Sequence, residues 1–510
     1  MPDDAREHEL TALRALVLSL RTALEESRQE NAFLRQKVEA LVRRVFGASS
    51  ERIDPAQLEL LQLPTTLTPP ATEPPPTGPE PRTPRARKER APRLPEHLPV
   101  IEEVIDPEPV KTQPEQWRCI GQEISEQLDY EPARFLRRRT IRRKYVSRLE
   151  PERAPVIAPR PECLQERSLA APGLLAHILV SKYCDHLPLY RQEQIFARRH
   201  QVHLPRQTLV RWVELAADWL QPIYEHIRTG VLGGGYVQVD ETPIEYLAPG
   251  NGQTKQGYFW AAHRPGGDVL YRWETSRAAA CLKNILPVSF TGTVQCDGYA
   301  AYPAFAKTRE ALQLAGCWAH VRRKFRDAME QSPRSASWLL RQLQHLYQIE
   351  ARLRQHHAGP NLRAAVRAAQ SRPIVARLKQ ALLRLKAGHR HLPQSLLGQA
   401  IDYALGQWST LEVFLRDGRL EIDNNLVENA IRPTALGKKN WLFIGAAEAG
   451  QRSAILYTVV ESCHRRGLDP YAYLRDVLTR LPRMTNKQTS EVTPEAWAKA
   501  RRQTPLQKAS

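Results

Sequence analysis

"GYVQVDETPIEYL", residues 235–247, alternates apolar and polar side chains and runs into a Pro-Gly turn. Alternation with a period of two is the mark of a strand. Its centre, Val237–Gln238–Val239–Asp240, returns as Val294–Gln295–Cys296–Asp297 inside "TVQCDGYAAY" (293–302). In each strand the Gln and the Asp fall on one face and the apolar pair on the other. Between the two, "QGYFWAAHR" (256–264) and "DVLYRWETS" (268–276) read as further strands joined in hairpin style, and "RAAACLKNILP" as helix. "LQLAGC" (312–317) supplies a fifth strand that leads into the helix "WAHVRRKFRDAME".

Three strands, a helix, a strand, helical material and a strand is the order of a ribonuclease H-like α/β fold. Asp240 and Asp297 on neighbouring strands suit divalent cations, which take hard oxygen ligands. Two cations held there can activate an attacking oxygen and stabilise the leaving oxygen of a phosphodiester. Glu241 points to the opposite face of its strand and is the weaker ligand. A third carboxylate has to come from elsewhere. Residues 326–420 are long helical segments rich in Leu, Ala, Arg and Gln, read as an insertion that interrupts the sheet. Then comes "EIDNNLVENAIRP" (421–433). On a helical wheel Leu426, Val427, Ala430 and Ile431 share one side, whereas Asn424, Asn425, Glu428 and Arg432 share the other. Asp423 falls among the apolar residues and serves better as N-cap. Pro433 is expected to end the helix, and Glu421 to precede it. Only Glu428 sits centrally on the polar face. It is the third acid.

The chain has 510 residues, with 74 Lys+Arg against 55 Asp+Glu and a formal charge of +19. Such length implies several folded units, and the charge points to a polyanionic partner, DNA first. The longest apolar runs, such as "LLAHILV" (174–180), fall far short of a membrane span. The opening "MPDDAREHEL" is unlike a signal peptide, so a cytoplasmic protein without a membrane partner is expected. Leu10, Val17, Leu24, Asn31 and Val38, with Leu13, Leu20, Ser27, Leu34 and Leu41, form a heptad seam. That predicts a coiled coil and a homodimer. Twelve prolines between Pro64 and Pro99, with the basic run "RTPRARKERAPR" (82–93), make a semi-rigid linker. A small β-rich unit ends in "RFLRRRTIRRKYVSR" (134–148), whose basic residues suit DNA. Two helices around Val202–Pro205, the second opened by Arg206, Gln207, Thr208 and Arg211, fit a helix-turn-helix.

"VDETP" (239–243), "CDGYAAY" (296–302), "GCWAHVRRKF" (316–325), "DNNLVENAIRP" (423–433) and "GKKNWLFIGAAEAGQRSAILYTVVESC" (437–463) closely resemble transposases of the insertion-sequence-66 family. The resemblance extends to "FGASSER" (46–52), "SEQLDYEPARF" (125–135), "KYCDHLPLYRQEQIFARR" (182–199) and "RRGLDPYAYLRDVL" (465–478), nearly the whole chain. It implies an Asp-Asp-Glu transposase whose triad maps onto Asp240, Asp297 and Glu428. It also implies Mg²⁺ (Mn²⁺ able to substitute), element-encoded accessory proteins, and a bacterial protein that sits on the nucleoid when bound to DNA. His320, Arg323 and Lys324 after the fifth strand, and Arg432, Lys438, Lys439 and Asn440 after the third acid, suit phosphate clamping. The family's small domain usually carries two Cys-x-x-Cys pairs; here Cys119 stands alone, with Ser147 and Glu150 where the second pair would be. Zinc is therefore not expected there. The divisions that follow are a dimerising coiled coil (1–62), a basic linker (63–112), a small degenerate zinc-finger-like unit (113–165) and a helix-turn-helix region (166–230). After these come the first part of the core (231–325), the helical insertion (326–420), the second part of the core (421–460) and a C-terminal helical piece (461–510). A DNA-binding repressor without catalysis and a nuclease without strand transfer are the rival readings.

Overall fold

The computed structural model describes Leu94, Leu98 and residues 99–503, apart from 132, 133, 151, 153, 249, 251 and 389–391. The heptad seam and most of the Pro-rich linker lie outside the described residues.

A mixed sheet organises the chain. Strand β5 (Tyr236–Leu247) pairs antiparallel with β6 (Thr254–His263), which pairs antiparallel with β7 (Val269–Glu274). On its other edge β5 pairs parallel with β8 (Gly292–Gln295), and β8 pairs parallel with β9 (Leu312–Ala315), giving the order β7-β6-β5-β8-β9. A two-residue strand, β10 (Phe443–Ile444), pairs parallel with Glu245 and Tyr246 of β5. Phe259, Trp260, Ala261 and Ala262 of β6 are wholly buried, as a central strand covered on both faces requires.

The fourth strand is shorter than the sequence suggested. It stops at Gln295, and "DGYAAY" turns into a short helix, Ala301–Ala306. Asp297 Oδ1 accepts the backbone N–H of Tyr299 at 3.0 Å, an Asx turn that competes with continued pairing. Asp297 thus sits on the loop leaving the strand.

Two hydrophobic cores flank this sheet. One gathers helices α1 (Pro172–Tyr183), α2 (Leu189–His200), α3 (Arg206–Leu232), α9 (Ala447–His464) and α10 (Pro470–Arg480) with the buried residues of β5, β6 and β7. Helix α9 is buried on nearly every side from Gly450 to Cys463, so its sequence reads as continuous rather than amphipathic. The other core joins α4 (Trp318–Asp327), α5 (Pro333–Gln355), α6 (Arg372–Ala387) and α7 (Leu396–Gly406), through Leu339, Leu346, Leu378, Trp408 and Phe414. Helix α8 (Asn425–Trp441) then returns to the sheet. It runs straight through Pro433, where the sequence suggested a stop. Pro removes one backbone donor, and the buried side chains Val427, Ala430 and Ile431 hold the helix on its seat despite that loss.

The small N-terminal sheet corrects two further expectations. The linker, drawn to residue 112, ends earlier: β1 (Val100–Ile105) pairs parallel with β3 (Arg134–Ser147), which forms a long antiparallel pair with β2 (Trp117–Glu131). The arginines of β3 are also less free than a DNA-binding surface needs. Arg137 and Arg139 pair with Glu126 at 3.0 and 2.9 Å, Arg138 with Asp129 at 3.0 Å, and Arg142 with Glu123 at 2.6 Å. Opposite charges across neighbouring strands stabilise a sheet, and that is where this basic run is largely spent.

This sheet is joined to the first core where Leu128 N donates to Leu169 O at 2.5 Å and Ala171 N donates to Leu128 O at 2.8 Å. His177 stacks there on Tyr130 with ring centroids 3.7 Å apart. Burial, with a smaller effect of His200, pushes His177 down to about 4, and burial with Arg465 does the same to His263, against an ordinary 6.5. Both stay neutral in the folded chain while an unfolded chain takes up protons. Stability contributed by each is therefore complete above 6.5 and lost as pH falls toward 4, by on the order of 2–3 kcal/mol per histidine. Denaturant unfolding at pH 7 and pH 4.5 measures this, and His177→Phe should lose part of the acid sensitivity.

Candidate active site

The twin Gln-x-Asp pattern positions more than two acids. Gln238 and Gln295 are wholly buried on adjacent strands. Gln238 Nε2 donates to Gln295 Oε1 at 3.0 Å and to Asp423 O at 2.9 Å; Gln295 Nε2 donates to Glu421 O at 2.9 Å and to Gly316 O at 3.2 Å. Tyr236 OH donates to Gln295 Oε1 at 2.6 Å and accepts the N–H of Glu421 at 3.0 Å. Three side chains of the sheet thus hold the chain at 421–423, directly after the helical segments and directly before α8. The site is built by this clamp: it fixes where α8 starts, and hence where Glu428 stands in its first turn.

At that start the cap differs by one residue from expectation. Asn424 holds the N-cap position, while Asp423, one residue earlier, accepts the N–H of Asn425 at 3.2 Å and its side-chain amide at 2.9 Å. Glu421 is tied to the helical segments by Arg363 at 2.9 Å and Arg354 at 3.2 Å. Leu426, read as apolar-side, is exposed. Glu428 is neither a cap nor tied to the helical segments, and its carboxylate lies nearest His320 and Arg323 of α4.

Asp240 lies in β5 opposite Ala261 of β6. Burial pushes its carboxyl up to about 8, reinforced by the charges of Glu241, Asp297 and Glu428 and opposed by the backbone N–H of Glu241. Asp240 on its strand thus feels the charge of Asp297 on the strand-end loop and of Glu428 at the helix start. Glu241 is committed elsewhere: Arg277 grips it at 2.5 Å and Tyr302 OH donates to it at 2.7 Å. Burial nonetheless leaves its carboxyl raised. Arg277 lies 3.7 Å from the Tyr299 ring centroid, and Tyr299 OH donates to Arg277 O at 3.2 Å. Arg277, Tyr299 and Tyr302 thus support the two acid-bearing segments. Sequence reading missed them, and only the closeness of "GYAAY" to Asp297 could have signalled the tyrosines.

The cations expected near the acids divide. His320 Nε2 lies 3.7 Å from Glu428 Oε1 and Arg323 Nη2 lies 3.6 Å from Glu428 Oε2. Lys324 is exposed and stands over the Tyr403 ring at 4.7 Å. Lys438 Nζ donates to Pro243 O at 3.0 Å, so it is bound to the sheet, whereas Arg432, Lys439 and Asn440 are exposed on α8. Arg206, Gln207 and Arg211 are exposed along the start of α3, and Thr208 is half-buried. Of the two tryptophans near these motifs, Trp318 is core and its indole N–H donates to Leu411 O at 3.0 Å.

The helical segments come close to the Asp297 loop. A Cβ on Gly298 would lie 2.7 Å from the Tyr403 ring, so Gly is required for that approach. Glu428 Oε1 is buried with no hydrogen-bond partner, and burial, aided by the neighbouring acids, pushes the Asp240 carboxyl up to about 8. Carboxylate oxygens of this kind suit a hard divalent cation. Among the described residues, the ligating atoms of Cys317, His320 and Glu428 lie within 4.8 Å of one another, and no grouping that tight includes both aspartates.

Comparison with known proteins gives the family. The family described as "Transposase IS66 family" matches residues 167–452. "IS66 C-terminal element" matches 458–494 and "Transposase C of IS166 homeodomain" matches 34–102. "Uncharacterized protein y4jD" of Sinorhizobium fredii is 37% identical over 88% of this chain and 91% of its own length. "Uncharacterized protein y4qI" of the same organism is 39% identical over 77% of this chain and 75% of its own length. No helix among the described residues is long and apolar enough to cross a membrane. With its matches spread from residue 34 to residue 494, the chain belongs to the IS66 family of transposases.

Proposed function

We propose that the chain is an Asp-Asp-Glu DNA transposase with a ribonuclease H-like core, cutting and joining the ends of a bacterial insertion sequence. The buried position of Asp240 beside Asp297 and Glu428 supports the reading: burial, with the charges of Glu241, Asp297 and Glu428, pushes its carboxyl up to about 8, and a bound cation would offset that cost. The three would hold Mg²⁺, or Mn²⁺ in its place. Bound there, the cations would activate the attacking oxygen and stabilise the leaving one.

The chain's own residues do the rest. Asp240, its carboxyl pushed up to about 8 mainly by burial, would hold the cation as a carboxylate once its proton is lost. Glu428 is aimed by the Gln238–Gln295 clamp on 421–423. Arg323 and the exposed Arg432 and Lys439 attract phosphates to the mouth of the site. Water attacks first and frees a 3′-hydroxyl; that hydroxyl then attacks a target phosphodiester, breaking one P–O bond as it forms another. Arg206, Gln207, Thr208 and Arg211 opening α3 suit a helix laid in the major groove of the terminal repeats. Residues 10–41 would pair two copies so that both ends are held together, with element-encoded accessory proteins as further partners. Division of labour along the chain follows the segments given above, with the first sheet starting at Val100.

Asp297→Ala should abolish Mg²⁺-dependent nicking and joining of terminal-repeat DNA while leaving gel-shift binding intact. Retained cleavage would sink the assignment. Wild type that binds but never cuts in Mg²⁺ or Mn²⁺ would favour a repressor.

A further inference from the structure

The geometry points to a second cation site, made by Cys317, His320 and Glu428, that takes a thiophilic divalent ion of the zinc class and competes for the third acid. Cys317 caps α4 where β9 ends, His320 follows in the first turn, and Glu428 comes from the first turn of α8. Two chain segments more than a hundred residues apart thus bring sulfur, imidazole and carboxylate within 4.8 Å of one another.

Two polar atoms here lack a hydrogen bond although both are buried: His320 Nδ1 and Glu428 Oε1. His320 Nε2 stands 3.7 Å from that Oε1, too far for a hydrogen bond. Buried polar atoms left unmatched are rare and ask for a partner. The other carboxylate oxygen, Oε2, is 3.6 Å from Arg323, so Oε1 is the one left to ligate. Zinc bonds of about 2.0–2.3 Å to Cys, His and carboxylate need the ligand atoms to close up by about 1 Å, a matter of side-chain rotation.

Sulfur decides the class of ion. Mg²⁺ takes oxygen ligands and does not use thiolate, whereas zinc favours Cys and His. The sequence, with its cysteines scattered singly, argues against zinc anywhere in the chain; the cluster forms only because folding brings Cys317 and His320 to Glu428. On binding, the Cys317 thiol yields its proton to the buffer and the thiolate becomes a ligand. The consequence for cleavage rests on the proposed triad: an ion held by Cys317 and His320 draws Glu428 away from Asp240 and Asp297. Zinc then inhibits where Mg²⁺ supports cleavage.

Cobalt(II), a coloured zinc substitute, tests the site without any assay of activity. The full chain, freed of metal, should bind cobalt with a sulfur-to-cobalt charge-transfer band in the near ultraviolet. Cys317→Ser should lose that band, and His320→Ala should weaken binding by roughly 100-fold or more, since loss of a ligand costs at least as much as loss of its supporting partner. Asp297→Ala should bind cobalt as wild type does, which separates this site from the acid triad. No band in wild type, or a band that survives in Cys317→Ser, overturns the proposal. So does a His320→Ala variant, folded by circular dichroism, that binds cobalt at full strength.

Discussion

Glu350→Ala should destabilise the protein by about 3–5 kcal/mol, the usual cost of leaving a buried charge without its partner. Arg367 and Glu350 are both wholly shielded from solvent, and they meet side by side at 2.7 and 2.8 Å. The same guanidinium donates to Phe414 O at 2.9 Å, Asp417 O at 3.1 Å and Leu420 O at 2.8 Å. One arginine therefore holds the stretch that runs into the 421–423 clamp. Without Glu350 its charge stays buried, and the three carbonyls share an uncompensated cation. Thermal or urea unfolding followed by circular dichroism reads the loss. Replacing both partners, as Glu350→Leu with Arg367→Met, should recover part of it, because no lone charge remains. A single variant as stable as wild type would show that the pair is not what fixes this stretch.

Asp240→Asn should separate stability from activity more widely than any other change. Burial and three neighbouring acids push Asp240 up to about 8, so at pH 7 the metal-free protein already holds it mostly neutral. A neutral isostere should leave the unfolding temperature unchanged or slightly higher. Cleavage, in contrast, should fall by at least about a thousandfold, since an amide cannot hold a cation as a carboxylate does, and such a drop corresponds to about 4 kcal/mol. The sign of the pH effect follows. Protons compete with the cation below about 8, so at fixed, subsaturating Mg²⁺ the wild-type rate should climb as pH is raised through that value. Initial rates on labelled end DNA between pH 6 and 9, beside melting curves, check both halves. A rate that falls over that interval would contradict the role given to Asp240.

Much of this site could be read in the chain itself. The Val-Gln-x-Asp echo picked out Gln238 and Gln295, which do share a face of paired strands, whereas Asp297 lies past the end of its strand, where alternation no longer applies. The helical wheel chose Glu428 because only that acid lay opposite Val427, Ala430 and Ile431. Local rules did less well where distant partners decide. Pro433 signals a stop, yet the buried face of α8 carries the helix past it to Trp441. The arginines of β3 read as free charge, because Glu102, Glu123, Glu126 and Asp129 meet them only once the strands pair. Glu350 looks like any polar residue of an amphipathic helix. Its worth depends on Arg367, a turn and a helix away. The glutamines were visible as a pattern, but the carbonyls they hold come 126 and 185 residues later in the chain. Pairings of that range leave no local trace.

The most direct measurement is cleavage of labelled DNA bearing the element's ends, with Mg²⁺, by wild type beside Glu428→Gln. Wild type should nick at the element boundary and join the freed end to target DNA. Glu428→Gln should bind the same DNA with the same affinity and cut it at least about a thousandfold more slowly. Cutting by Glu428→Gln at the wild-type rate would contradict the three-acid site.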